Sequence, residues 1–124
     1  MVDPGKTAAF IVPILERLMY RQKNGNGKIR VLILVPTREL ASQVRDVGMG
    51  LAEFTDVIFC MCVGGMPIKP QQQELRLNPD IVIATPGRLI DHLQNSPSFN
   101  LDSIEILVMD EGYFSNNCSR SNAK

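Results

Sequence analysis

The apolar run 104–109, I-E-I-L-V-M, ends on two adjacent carboxylates, Asp110 and Glu111. At a strand end, one acid can orient the shell of a Mg²⁺ ion and the other can polarise a water that attacks a phosphate. Their chemical complement stands near the start of the chain, where Gly5, Lys6 and Thr7 open a helical pattern. A helix start offers backbone N–H groups and a positive dipole end, Lys6 offers an ammonium for phosphates, and Thr7 a hydroxyl for Mg²⁺. Three more clusters of unusual composition lie between these ends. They are Pro36-Thr37-Arg38 within P-T-R-E-L, Gly64-Gly65, and Thr85-Pro86-Gly87-Arg88.

The elements around these clusters explain why they would meet. Runs 31–35, 57–63, 81–85 and 104–109 are mostly apolar without alternation, the pattern of strands covered on both faces as in a parallel sheet. Stretches 7–20, 38–54, 70–77 and 88–94 carry apolar residues at helical spacing, with Gly48 and Gly50 weakening the second and Pro70 starting the third. Helices alternating with such strands predict right-handed βαβ units and an α/β domain over residues 1–114. In open α/β sheets ligands gather outside the carboxyl ends of the strands, which is where each cluster falls. The segment K-N-G-N-G-K, residues 23–28, reads as a surface turn, and the polar tail 115–124 as disordered.

Composition narrows the function classes. The 124 residues suffice for one domain with a real core, and 13 basic against 13 acidic residues argue against coating of nucleic acid by bulk charge, though not against a local site that grips a few phosphates. No run nears the roughly 20 apolar residues that cross a bilayer, and no signal peptide is visible, so the expected home is intracellular. Cys60 and Cys62 share one face of a strand and read, with Cys118, as reduced structural thiols, because His92 has no ligand pattern around it. Plainer readings exist for single residues. Gly64-Gly65 and Pro86-Gly87 are also turn chemistry, and Arg38 also a partner for Glu39 or Asp46. Glu53, Glu74 and Glu105 read as solvated charges, and the six methionines as core filler.

Taken together, G-K-T, P-T-R-E-L, G-G, T-P-G-R and V-M-D-E, in this order and spacing, resemble the first RecA-like domain of DEAD-box ATP-dependent RNA helicases. The resemblance runs from Gly5 to about Glu111, and P-T-R-E-L with A-T-P-G-R is its most specific part. The stretch 87–101, G-R-L-I-D-H-L-Q-N-S-P-S-F-N-L, looks most like the nucleolar, ribosome-biogenesis branch. The resemblance implies ATP and Mg²⁺ as cofactors, with Gly5, Lys6 and Thr7 at the nucleotide, Thr7 and Asp110 at the metal, and Asp110 and Glu111 as the catalytic pair. It implies that Pro36, Thr37, Arg38, Gly64, Gly65, Thr85, Pro86, Gly87 and Arg88 line a path for single-stranded or duplex RNA. Contacts of this sort to sugar and phosphate read no base sequence.

The chain also departs from the family pattern. A full phosphate loop, G-x-x-x-x-G-K-[ST], would place its first glycine before Met1, Asp3 stands where the family has glycine, and Pro4 brings no N–H. Gly112 and Tyr113 replace the end of D-E-A-D, and the second RecA-like domain with its arginines is not in the sequence. The expectation is therefore a partial RecA-like domain with a mainly parallel sheet of about four strands, not hydrolysing ATP by itself. Its alternative is a non-catalytic RNA- or partner-binding module; a small flavodoxin-like enzyme using Asp110 and Glu111 is the remote third. An uncovered Asp-Glu strand would leave an apolar sheet edge, hence marginal stability or self-association, and the helix from Thr7 would lose docking surface.

Overall fold

The computed structural model describes residues 4–21, 27–97 and 99–109. Asp110, Glu111, the tail 115–124 and most of the turn 23–28 lie outside the described residues. Eight elements follow one another among those described: α1 (Pro4–Met19), β1 (Val31–Leu34), α2 (Arg38–Leu51), β2 (Phe59–Cys62), α3 (Ile68–Arg76), β3 (Ile81–Ala84), α4 (Pro86–Asn95) and β4 (Ile106–Met109).

The strands form one parallel sheet in the order β2-β3-β1-β4. Register is flush: Leu34 lies opposite both Ala84 and Met109, and Ala84 opposite Cys62. All four strands therefore end along one line, and every following loop leaves from the same rim. Successive strand residues point to opposite faces, and the core divides accordingly. Val31, Ile33, Ile81 and Ile83 pack with Ile11, Ile14 and Leu15 of α1 and Val44 of α2 on one side. Leu32, Val82, Cys60 and Cys62 pack with Leu75 of α3 and Leu89 of α4 on the other. Each fully buried Ile or Val contributes roughly 1.5–3 kcal/mol relative to exposure.

Several boundaries differ from the sequence expectation, each for a local reason. Every strand is four residues long, and the bonding runs one residue further where Val35 donates to Ala84 O and Thr85 to Cys62 O. Helix α1 starts at Pro4, where a residue without N–H loses nothing, and tolerates Pro13 on its exposed side. Helix α3 starts at Ile68 instead of Pro70, which sits inside its first turn. Helix α2 ends at Leu51, not 54, yet Gly48 does more than weaken it. A Cβ there would lie 2.7 Å from the Phe59 ring, so glycine lets α2 close down on β2.

Coverage of the strands is uneven. Strand β3 is buried throughout, whereas the outer strands are covered less, and Leu107 of β4, on the same side of the sheet as Leu32, is 58% exposed. Helix α1 keeps a docked face despite the expected loss, with Ile11, Ile14, Leu15 and Leu18 all buried. At the strand-start end, Glu105 receives Arg30 at 2.6 Å and Arg17 at 3.4 Å, so it is a paired charge and not merely a solvated one. Arg21 there bridges Asp80 at 2.9 Å and Asp56 at 2.8 Å. Cys60 and Cys62 are free and buried, and the neighbouring Cys62 thiol, together with burial and the Glu74 carboxylate, pushes the Cys60 thiol far up. No described helix is long and apolar enough to cross a membrane.

Candidate nucleic-acid interface

Three of the clusters singled out above meet at the carboxyl rim of the sheet. Thr37 caps α2 from an extended conformation, and its Oγ1 accepts the N–H of Leu40 at 3.1 Å. Thr85 holds the same position before α4, with Pro86 next in line, but its hydroxyl is turned away from its own helix. Its Oγ1 accepts the N–H of Gly64 at 3.3 Å, while its own N–H donates to Cys62 O at 3.1 Å. The turn after β2 is thereby stitched to the start of α4. Each hydroxyl accepts from the backbone, so its proton remains available for another acceptor.

Arg38 leaves the first turn of α2, is 57% exposed, and pairs with Glu39 at 3.0 Å. An exposed pair of this kind is readily exchanged for another anion. Its guanidinium also lies against Gly65, whose φ is +78°. A Cβ on Gly65 would approach Arg38 Nη1 to 2.6 Å, so both the backbone angle and the neighbour demand glycine here. At Gly64 and Gly87 a Cβ would meet nothing within 4 Å, leaving the backbone open to an incoming group. Pro36 is half-buried at the exit of β1. A depression of about 550 Å³, bounded by Arg38, Glu39, Ser42, Met61, Val63 and Met66, opens beside Gly65.

Arg88 is placed differently from Arg38. Only 14% exposed, it donates through Nη1 to Met66 O at 2.8 Å and to Gln71 Oε1 at 3.2 Å, with Asp91 at 3.6 Å from Nε. Gln71 donates Nε2 to Val63 O at 3.0 Å and accepts His92 Nε2 at 2.9 Å, and His92 Nδ1 faces Ser96 Oγ at 3.1 Å. Sequence reading passed over Gln71 and found no pattern around His92. The available signal was a polar residue on the inward stripe of each helix, Gln71 with Leu75 and His92 with Leu89. Burial holds the His92 pKa below its ordinary 6.5, helped by the Arg88 charge and opposed by Asp91.

At the start of α1, Gly5, Lys6 and Thr7 lie in the first helical turn, with Gly5 and Lys6 exposed and Thr7 fully buried. Thr7 Oγ1 has no hydrogen-bond partner among the described residues. A buried hydroxyl without a partner is rare, and it fits a group that bonds a ligand. No cluster of three metal-ligating residues exists among the described residues, and Asp110 lies outside them.

Comparison with known proteins places this arrangement in context. Residues 4–114 match the DEAD/DEAH box helicase family. The chain is 62% identical over 110 residues to the ATP-dependent RNA helicase DRS1 of Mycosarcoma maydis, covering 86% of this chain and 12% of that protein. It is 57% identical over 107 residues to the probable ATP-dependent RNA helicase DDX27 of Mus musculus, covering 86% of this chain and 14% of that one. Among solved structures, it resembles the yeast DEAD-box splicing factor Prp28 with a TM-score of 0.74 and 33% identity, over 85% of this chain and 25% of the other. A hypothetical ATP-dependent RNA helicase from Sulfolobus tokodaii gives 0.71 and 38%, over 85% and 28%. The chain thus spans about an eighth of the curated relatives it matches and about a quarter of the structures.

Two outcomes follow from this geometry. Gly65→Ala should cost about 1–2 kcal/mol in denaturant unfolding, the usual cost of an L-residue in this backbone region, and should displace Arg38. For His92, the unfolded state takes up its proton first as pH falls, so its stability contribution is full above 6.5 and declines below it. Unfolding midpoints measured from neutral to acid pH should therefore fall more steeply in the wild type than in His92→Gln.

Proposed function

Since this chain belongs to the DEAD/DEAH box helicase family, we propose that its strand-end rim grips the sugar–phosphate backbone of RNA without reading base sequence. The carrying observation is the junction of three separate clusters on one rim: Gly64 N–H on Thr85 Oγ1, Arg88 on Met66 O, and Arg38 against Gly65. Arg38 supplies an exposed fork for phosphate. The open backbone at Gly64 and Gly87 admits the strand closely, and the free protons of Thr37 and Thr85 reach phosphate or 2′-OH oxygens. Pro36 and Pro86 shape the entries to α2 and α4 that present these groups.

The intact protein is proposed to couple this grip to ATP binding and hydrolysis, and so to local unwinding of RNA. Gly5, Lys6 and Thr7 would hold the phosphates, with the Thr7 hydroxyl and Asp110 toward Mg²⁺ and Glu111 beside it as the second catalytic acid. Bound ATP with Mg²⁺ supplies the phosphoryl transfer that drives the cycle. The ammonium of Lys6 and the N–H groups of the first turn of α1 would hold its phosphates. The stretch 87–101 carries the narrower proposal of a nucleolar, ribosome-biogenesis role. The second reading is a non-catalytic RNA- or partner-binding module, favoured by Asp3, which stands where the family has glycine, and by Pro4, which brings no N–H to a phosphate cradle.

Titration of the chain with single-stranded RNA and with Mg-ATP separates the two. RNA binding should weaken on the order of 10-fold in Arg38→Ala, and its salt slope should drop by about 0.7, one phosphate's worth on a single strand. Lys6→Ala should abolish nucleotide binding and leave RNA binding in place. RNA binding insensitive to both Arg38→Ala and Arg88→Ala would overturn the assignment of the rim. The exposed Leu107 on β4, a strand paired only with β1 among the described residues, further supports self-association through that edge. Sedimentation should then show concentration-dependent oligomers that Leu107→Lys shifts toward monomer; a monomer at all concentrations would rule this out.

A further inference from the structure

Gln71 is only 6% exposed inside α3, yet it binds two parts of the rim at once. Its Nε2 donates to Val63 O, the last carbonyl before the Gly64-Gly65 turn, and its Oε1 accepts Arg88 Nη1. The amide cannot be reversed: Val63 O only accepts and a guanidinium only donates. That orientation propagates. Oε1 faces His92 Nε2, so this nitrogen carries the proton and Nδ1 accepts from the Ser96 hydroxyl, whose oxygen also takes Gln72 Nε2 at 3.1 Å. Every donor and acceptor from Val63 O to Gln72 then has a single consistent role.

We infer that Gln71 is a positioning residue for RNA binding, coupling the Arg88 guanidinium to the Gly64-Gly65 turn, with His92 and Ser96 fixing its orientation. The inference rests on the reading of the rim as RNA-facing. Arg88 is otherwise a long side chain with many rotamers held by one bond to Met66 O, and the turn is otherwise held by that bond and the 3.3 Å bond from Gly64 to Thr85. With Gln71 in place, Nη1 is committed to the protein on two acceptors, and the guanidinium stands in one plane beside the turn. Its Nη2 has no hydrogen-bond partner among the described residues and is the edge left for a phosphate.

The test uses the full chain and a fluorescein-labelled single-stranded oligouridine. Gln71→Leu, which removes both bonds, should weaken binding on the order of 10-fold and lower the salt slope by about 0.7, as if a phosphate contact had been lost although Gln71 carries no charge. Added to Arg88→Ala, it should cause no further loss. Gln71→Glu keeps the acceptor for Arg88 and His92 but cannot donate to Val63 O. It should shift the amide resonances of Gly64, Gly65 and Met66 while leaving the salt slope near wild type. Wild-type affinity and slope in folded Gln71→Leu, or losses that add to those of Arg88→Ala, would overturn the inference. If Gln71→Leu does not fold, unchanged resonances at 64–66 in Gln71→Glu would overturn it instead. If the wild type does not bind oligouridine, the RNA reading fails; the same resonances still decide whether Gln71 holds the turn.

Discussion

Parallel pairing with flush register is the constraint on which everything else depends. Because β3 pairs with both β2 and β1, and β1 with β4, the residues after Leu34, Cys62 and Ala84 emerge side by side. Parallel strands need long crossovers, so each of these exits is followed by a helix, or by a turn leading into one. The rim is thus composed almost wholly of helix entries and one glycine turn. Antiparallel pairing of the same strands would send half of these groups to the opposite end, where Arg17, Arg21 and Arg30 are engaged with Glu105, Asp56 and Asp80.

Two kinds of order hold the rim at different strengths. The sheet and its two apolar layers fix the strand ends through many small contacts with no directional preference. The polar network from Val63 O through Gln71 to Ser96 adds direction, since each bond works only one way round. Buried networks of this type specify geometry when every member is satisfied and are costly when one is not. Here the satisfied members are many, and the buried exception among the described residues, Arg88 Nε, sits beside Asp91 at ion-pair distance.

The sheet and the rim were legible in the residues because their signals are local. Uninterrupted apolar runs such as V-L-I-L announce strands covered on both sides, and Thr-Arg, Gly-Gly and Pro-Gly announce helix entries and turns. Element ends were less legible. Ile81 and Thr85 are equally good strand formers, but the strand ends at Ala84, because Thr85, though its N–H still bonds Cys62 O, caps the helix that starts at Pro86. The roles of Gln71 and His92 were out of reach for another reason. They pair across 21 positions of chain, and that pairing exists only once α3 and α4 lie on one face of the sheet. The exposure of Leu107 was hidden similarly, since its run looks like any inner strand.

Thr7 carries a consequence of its own. Its hydroxyl is stripped of solvent by the fold yet finds no hydrogen-bond partner among the described residues, a state that ordinarily costs about 1–3 kcal/mol. Folding has therefore already dehydrated this oxygen, before any ligand arrives. A partner that bonds it recovers the interaction without first having to displace water from it. The same atom thus weakens the empty domain and sharpens its preference for whatever completes the bond, so stability and affinity at this helix start are set against each other by a single oxygen.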